Sequence, residues 1–140
     1  MANWLRNSSW LKLVLLFATG VVITSLFHSG KKINGVIWSD QEGYYIYLPA
    51  VFIYGGFEDV SCVNGCTTVE RNGSNYTFTK YTYGVSLMET PFFAIAHLIS
   101  KPLGYAGDGR SLPYIWSVML AAIFYMLAGL VLLHSLLKEL

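Results

Sequence analysis

The chain has 140 residues, of which 54% are hydrophobic and only 12% are charged. Soluble domains carry roughly 25% charged residues, so this composition is typical of a membrane protein. The net charge is +1, and the sequence shows no basic face of the kind that binds nucleic acid. Aromatic residues make up 16% of the chain, and Tyr and Trp rings are favoured at the membrane–water interface.

The first hydrophobic segment, residues 10–27, predicts a transmembrane helix. A helix of this length rises about 27 Å, close to the roughly 30 Å of bilayer hydrocarbon. A cleaved signal peptide is the competing interpretation, but Ser25-Leu26-Phe27-His28 offers no small-x-small cleavage site. Charge alone does not orient the helix. Basic residues lie near both of its ends: Arg6, Lys12, Lys31 and Lys32.

The stretch from Trp38 to Tyr54 opens with acidic residues and continues as an aromatic and aliphatic run. Ser39 and Glu42 have the spacing of a capping box, so a helix is predicted over about residues 40–54. Pro49 should kink or interrupt that helix. Helical spacing gives it one predicted apolar face: Tyr44, Tyr47, Leu48 and Val51. Because it is too short to span a bilayer, we predict an amphipathic helix lying on the membrane surface.

Residues 57–83 form the most polar part of the chain and predict a small aqueous lobe. β-Branched and aromatic residues at 67–70 and 75–80, joined by turn-forming residues 71–74, predict a β-hairpin. Further along, Thr90-Pro91 is typical of a helix start and predicts a second short amphipathic helix over residues 90–100.

The last hydrophobic segment predicts a second transmembrane helix over residues 114–136, because residues 114–133 contain no charge. The predicted fold class is therefore a mainly α-helical membrane protein. Its two transmembrane helices flank an extracytoplasmic loop, residues 28–113, which carries the two amphipathic helices and the hairpin.

Cys62 and Cys66 flank a Val-Asn-Gly sequence, and an Asn-Gly turn there could bring their sulfurs together. A disulfide is favoured if the loop lies outside the cytoplasm. Free thiols are the second interpretation. A zinc site is the third, because it would need two further ligands.

Asp40 and Glu42 are the leading candidates for chemistry. Carboxylates at this spacing could hold a divalent cation such as Mg²⁺, or one of them could act as a base. Capping explains the pair more simply, with Glu42 closing the capping box and Asp40 favouring the positive end of the helix. Spacing alone therefore favours capping. Lys80, set among aromatic residues, suits an anionic headgroup or a phosphate, and an ordinary membrane-surface lysine is an equal alternative.

Three motifs in this order resemble the N-terminal part of bacterial GT-C-type membrane glycosyltransferases, a group that includes protein O-mannosyltransferases and lipid A aminoarabinose transferases. They are Asp40-Gln41-Glu42-Gly43-Tyr44-Tyr45-Ile46-Tyr47-Leu48-Pro49, Lys80-Tyr81-Thr82-Tyr83-Gly84 and Pro91-Phe92-Phe93. The resemblance covers roughly residues 10–136. It implies transfer of a sugar from a polyprenyl-phosphate donor to an acceptor at the outer face of the bacterial cytoplasmic membrane. It also implies a cytoplasmic N-terminus.

The resemblance implies roles for particular residues. Asp40 is the expected general base, and Glu42 the expected assistant through a metal or through positioning. Lys80 corresponds to no site residue of the family, but its charge suits the lipid phosphate, and we expect it to bind substrate together with Tyr44 and Tyr45. Family members have many more transmembrane helices, so we expect an N-terminal fragment that is inactive alone and needs its C-terminal helices or another membrane subunit. The alternative is a small two-span membrane protein whose outer loop binds a partner or a larger membrane complex.

Overall fold

The computed structural model describes residue 12 and residues 14–23, 36–58 and 60–139, with only the backbone of Lys138. The described chain is mainly helical and contains one two-stranded antiparallel sheet. Its elements are α1 (Val14–Ile23), α2 (Asp40–Tyr45), α3 (Tyr47–Pro49), a π-helical turn (Ala50–Tyr54), β1 (Thr67–Arg71), β2 (Ser74–Phe78), α4 (Gly84–Ser100) and α5 (Leu112–Glu139).

Helix α5 is the one helix among the described residues that is long and apolar enough to cross a membrane. Its apolar part runs over 26 residues, Leu112–Leu137, which agrees with the predicted transmembrane helix at 114–136. Only α1 represents the predicted helix at 10–27, because the remaining residues of that segment lie outside those described, apart from Lys12. The predicted transmembrane helix at 10–27 therefore stays a prediction.

Helix α4 begins at Gly84, so the predicted start at Thr90-Pro91 is wrong. The Thr90 hydroxyl donates to the carbonyl of Ser86, one turn earlier, at 2.8 Å. Ser86 is itself buried, and its hydroxyl donates to the carbonyl of Tyr44 in α2. Tertiary contacts therefore extend the helix upstream of the Thr-Pro pair.

The helical stretch from Asp40 to Tyr54 is broken into pieces. It changes to a π-helical turn directly after Pro49, in agreement with the predicted interruption. The capping box is wrong, since the Ser39 side chain makes no capping hydrogen bond and Ser39 has a φ of 56°. The Glu42 side chain points to other partners.

The predicted apolar face of this stretch is also wrong. Val51 is 61% exposed, whereas Tyr45 and Ile46 are fully buried. The reason is that α2 and α3 are covered on two sides rather than one. One hydrophobic cluster joins them to α4 and α5: Ile37, Tyr45, Leu48, Phe93, Ala96, Tyr114, Ile115, Val118 and Met119. A second cluster packs Ile46 and Ala50 against Val60.

Strands β1 and β2 form the predicted hairpin, with Thr67 opposite Phe78 and Arg71 opposite Ser74. The turn uses Asn72 and Gly73, whose φ values are 54° and 82°. Positive φ at both central residues matches the twist of the strands. The Thr77 hydroxyl donates to the Val60 carbonyl at 2.8 Å, which attaches the hairpin to the segment that covers α2.

Candidate functional site

The backbone of α2 is in close contact with the Cys62–Cys66 loop. A Cβ atom added to Gly43 would lie 2.7 Å from the Gly65 carbonyl oxygen. A Cβ added to Gly65 would overlap the Ser39 carbonyl oxygen and the Gly43 nitrogen. Only glycine permits such an approach of two backbones. This contact brings the loop against the two acidic residues of α2.

Glu42 is 1% exposed and accepts hydrogen bonds from this loop. Its carboxylate oxygens accept from the backbone N–H groups of Val63 at 2.9 Å and Asn64 at 2.8 Å. Nη2 of Arg110 completes the set with an ion pair at 2.7 Å. Burial alone would raise the pKa of Glu42, but the two N–H groups and the guanidinium outweigh it and lower that pKa below 4.5.

The loop that carries these N–H groups is closed by a disulfide between Cys62 and Cys66, whose Cα atoms are 5.9 Å apart. Of the three interpretations open from the sequence, the structure has the disulfide. The short ring restricts residues 63–65 and so holds the two N–H donors toward Glu42.

Asp40 is exposed and points to a different place. It accepts a hydrogen bond from the Tyr81 hydroxyl, and both residues line an open cavity of about 230 Å³ together with Lys80. The Lys80 Nζ lies 5.1 Å from the centre of the Tyr81 ring. The hydrogen bond to Asp40 raises the pKa of Tyr81. A carboxylate, a phenol and an ammonium group therefore share one water-accessible cavity.

The segment that carries Lys80 and Tyr81 is bound to α2 and α3 by hydrogen bonds. The Thr79 hydroxyl donates to the Gly43 carbonyl at 2.8 Å, and the Tyr47 hydroxyl donates to the Tyr81 carbonyl at 2.6 Å. The Tyr44 ring packs on the Tyr81 ring, with centroids 4.4 Å apart. These contacts explain how residues 40 positions apart in the chain meet at one cavity.

The structure does not bring Asp40 and Glu42 together as a pair. Both oxygens of Glu42 are occupied by Arg110 and by backbone N–H groups, so the residue does not fit a role as metal ligand beside Asp40. Within the described residues, no three His, Cys, Asp or Glu side chains are arranged to hold a metal ion. A divalent cation shared by the two carboxylates therefore has no support in this geometry.

The two tyrosines predicted to bind substrate have different positions. Tyr44 is half-buried and packs on the Tyr81 ring, but it does not line the cavity itself. Tyr45 is 1% exposed, and its hydroxyl donates to the Gly109 carbonyl at 2.6 Å. Burial raises the pKa of Tyr45 well above its usual range. The structure thus places Tyr45 in the core, where it attaches α2 to the loop before α5.

Two residues of this region are missing from the sequence-based candidates. Arg110 is the ion-pair partner of Glu42 from a distant loop. The signal for it is weak: Arg110 is a basic residue shortly before a hydrophobic segment. Asp108 fixes the backbone at Arg110. The Asp108 carboxylate accepts hydrogen bonds from the backbone N–H groups of Arg110 at 2.8 Å and Ser111 at 2.9 Å.

Glu89 is the second missed residue. It is 8% exposed, and Oε1 accepts from the Gln41 amide at 2.8 Å, while Oε2 has no partner among the described residues. Burial raises the pKa of Glu89 above 4.5. Periodicity along α4 would not reveal this carboxyl group, because its burial comes from the contact with α2.

Comparisons with protein-family models, with curated proteins and with solved structures found no match.

Proposed function

We propose that the chain is the N-terminal part of an integral-membrane glycosyltransferase of the GT-C type. In this proposal it transfers a sugar from a polyprenyl-phosphate donor to an acceptor hydroxyl at the outer face of a bacterial cytoplasmic membrane. The short chain alone is inactive and depends on further transmembrane helices or another subunit. The proposal rests on the motif order in the sequence and on the cavity at Asp40.

The observation that carries the proposal is the pairing of chemical groups at this cavity. Asp40 is exposed, so an acceptor hydroxyl can reach its carboxylate, and the Tyr81 hydroxyl fixes the carboxylate by hydrogen bonding. Lys80 lines the same cavity. A base and a cation close together are what transfer from a phosphate-linked sugar requires.

In the proposed mechanism, Asp40 takes the proton of the acceptor hydroxyl. The oxygen attacks the anomeric carbon, and the bond from that carbon to the phosphate oxygen breaks with its electron pair going to the phosphate. The lipid phosphate leaves with an additional negative charge, which Lys80 stabilises. Glu42 acts indirectly by holding α2 in place, and Tyr44 supports Tyr81.

Two features support a membrane location with residues 36–110 outside the cytoplasm. Disulfides such as Cys62–Cys66 persist in oxidising compartments and are rare in the cytoplasm. Helix α5 follows directly as an apolar helix of spanning length. In the proposal, α1 belongs to the first span and the N-terminus is cytoplasmic.

An apolar groove of about 380 Å³ between α4 and α5 supports the choice of a lipid-linked donor. Phe92 and Ile95 of α4 face Trp116 and Leu120 of α5 across it. Side chains of this kind suit contact with an isoprenoid chain, because such a chain offers only apolar surface.

The test is the Asp40→Asn variant of the longest open reading frame that contains this chain. Membranes holding it are supplied with polyprenyl phosphates carrying radiolabelled sugars, and incorporation into acceptors is counted. We expect sugar transfer by the variant to be at least about 100-fold slower, because a general base contributes at least this factor to the rate. Glu70→Gln, on the exposed strand β1, is the matched control and should keep full activity. Unchanged transfer in Asp40→Asn would rule out the mechanism.

The small two-span membrane protein that binds a partner remains the alternative. It is supported by the large apolar side chains that α4 exposes, among them Leu87, which is 64% exposed, and Leu98, which is 74% exposed. If the reading frame ends with this chain and no donor supports transfer, this alternative is favoured. Cross-linking in intact membranes would then identify the bound subunit.

A further inference from the structure

A second cavity, of about 380 Å³, lies on the Arg110 side of α2. Its polar lining comes from Glu42, Ser61, Asn64 and Arg110, and its apolar lining includes Ile37 and Ile115. The volume is at the small end of the roughly 300–1,000 Å³ typical of small-molecule sites. Neither Asp40 nor Lys80 lines it, whereas Asn64 lines both cavities.

Trp38 forms one wall of this cavity and is 58% exposed. With the Asn64 amide turned so that its oxygen faces the indole, Trp38 Nε1 donates to it at 2.6 Å and the Asn64 nitrogen donates to the Val63 carbonyl at 3.3 Å. The indole is therefore fixed by hydrogen bonding while much of its surface stays in water. A large ring held in this way is suited to stacking against a ligand.

The guanidinium of Arg110 has hydrogen-bonding capacity left for a ligand. Nη2 donates to Glu42 and to the Ser61 carbonyl, and these are its guanidinium bonds within the described residues. An arginine has five N–H donors. The side chain is 30% exposed, so its remaining donors are accessible from the cavity.

The charge balance decides which ligand suits the cavity. Glu42 and Arg110 form an ion pair at 2.7 Å and cancel one another. An anion at the free donors of Arg110 would place a second negative charge beside the buried Glu42 carboxylate, and like charges repel there. A neutral ligand with several hydroxyl groups uses the free donors without disturbing the pair. Sugar rings combine such hydroxyls with an apolar face that stacks on aromatic rings.

We propose that this cavity binds the pyranose ring of a neutral saccharide. The ring stacks on Trp38, and its hydroxyls accept from Arg110 and hydrogen-bond to Ser61 and Asn64. The site adjoins the Asp40 cavity, since Asn64 lines both, but it contains neither Asp40 nor Lys80. Saccharide binding at Trp38 stands whether or not the glycosyl transfer proposed above takes place.

The experiment measures sugar binding to the purified chain in lipid nanodiscs, which avoids the sugar headgroups of maltoside detergents. Saturation-transfer NMR and calorimetry are run with the methyl glycosides of glucose, mannose and galactose and with N-acetylglucosamine. At least one should bind in the millimolar range or tighter. Trp38→Ala should weaken that binding at least about tenfold, as loss of a stacking platform does. Tyr83→Ala, which removes an exposed aromatic ring that lines neither cavity, is the matched control and should bind normally.

Folding of each variant is checked by circular dichroism and by retention of the Cys62–Cys66 disulfide. Trp38→Phe, which keeps an aromatic ring, should retain part of the affinity and so separates stacking from misfolding. The proposal is overturned if none of the four sugars binds, or if Trp38→Ala leaves binding unchanged. It is also overturned if inorganic phosphate or glucuronate binds more tightly than every neutral sugar.

Asp40→Asn distinguishes this proposal from the proposed transfer reaction. The variant should bind the sugar as tightly as the unchanged chain, because Asp40 lies in the other cavity. Sugar binding without transfer would leave the Trp38 site standing while the enzyme proposal fails. Transfer without any Trp38-dependent binding would leave the enzyme proposal standing while the Trp38 site fails.

Discussion

The Glu42 carboxylate is 2.7 Å from Nη2 of Arg110, although the two residues are 68 positions apart in the chain. The ion pair joins the start of α2 to the loop that leads into α5. Because Glu42 is 1% exposed, water does not replace Arg110 if that contact is lost. The pair therefore holds α2 against the loop that leads into α5.

Glu42→Gln should destabilise the folded chain. The amide keeps one acceptor oxygen, so its NH2 group would face one of the two N–H groups that now donate to Glu42, that of Val63 or that of Asn64. Arg110 would also lose the charge of its partner. We expect a loss of about 2 kcal/mol in the free energy of unfolding, the usual cost of unsatisfied buried polar groups. Thermal unfolding in nanodiscs measures it. Glu70→Gln, on the surface of the hairpin, should change stability little, and an equal loss in both variants would contradict the role of Glu42.

Stability should fall in acid because of the same carboxylate. The pKa of Glu42 is lowered in the folded chain relative to 4.5, so its stabilising contribution is complete above that value. The contribution is lost as the pH falls through the lower, folded-state pKa, since protonation breaks the bonds to Arg110 and to the loop. Unfolding curves across this acid range should show the decrease in stability. In Glu42→Gln, the part of that decrease that comes from protonation of Glu42 should be absent. A decrease of the same size in the variant would refute this assignment.

Glu89→Gln should stabilise the folded chain near neutral pH, which is the opposite of the effect expected for Glu42→Gln. The pKa of Glu89 is raised above 4.5 by burial, so ionising it costs more in the folded chain than in the unfolded chain. The unchanged chain therefore loses stability as the pH rises from 4.5 through the raised pKa. The variant keeps a partner for Gln41 without that loss. It should melt at a higher temperature near neutral pH, and the two should melt alike below the ordinary glutamate pKa.

Ser39→Gly should stabilise the chain by about 1 kcal/mol, because Ser39 has a φ of 56° and ψ of −127°, a backbone conformation that suits glycine. Asn72 has a similar φ of 54° but lies in a hairpin turn that asparagine tolerates. Asn72→Gly is therefore the control, with a change of only a few tenths of a kcal/mol. Chemical denaturation compares the two. A destabilised Ser39→Gly would show that the serine side chain contributes something that the contacts do not reveal.

Much of the fold could be predicted because it depends on local patterns. The uncharged run of α5 and the turn residues of the hairpin identify their elements without tertiary information. The start of α4 could not be predicted in this way. Thr90-Pro91 favours a helix start locally, but buried Ser86 and Glu89 bond to Tyr44 and Gln41 and extend the helix. The capping box fails for a similar reason, since distant partners hold Glu42.

The site was harder to predict than the fold. The sequence places Asp40 and Glu42 side by side, yet their side chains lie at different cavities. Which way each points depends on Tyr81 and Arg110, far away in the chain. Asp40 and Lys80 line one cavity, and no spacing rule predicts that they meet there. Tyr45 is predicted to bind substrate because it lies within the first motif, but it is buried in the core.

The exposure of the α5 side chains changes along the helix. Its first turns are buried, including Tyr114, Ile115 and Val118, whereas later apolar side chains such as Leu132 and Leu137 are 66% and 62% exposed. Each exposed methylene left in water costs about 0.8 kcal/mol relative to apolar surroundings. In water without lipid or detergent, the chain should therefore self-associate through the end of α5. Its sedimentation coefficient should increase with protein concentration, and added lipid should reverse the increase.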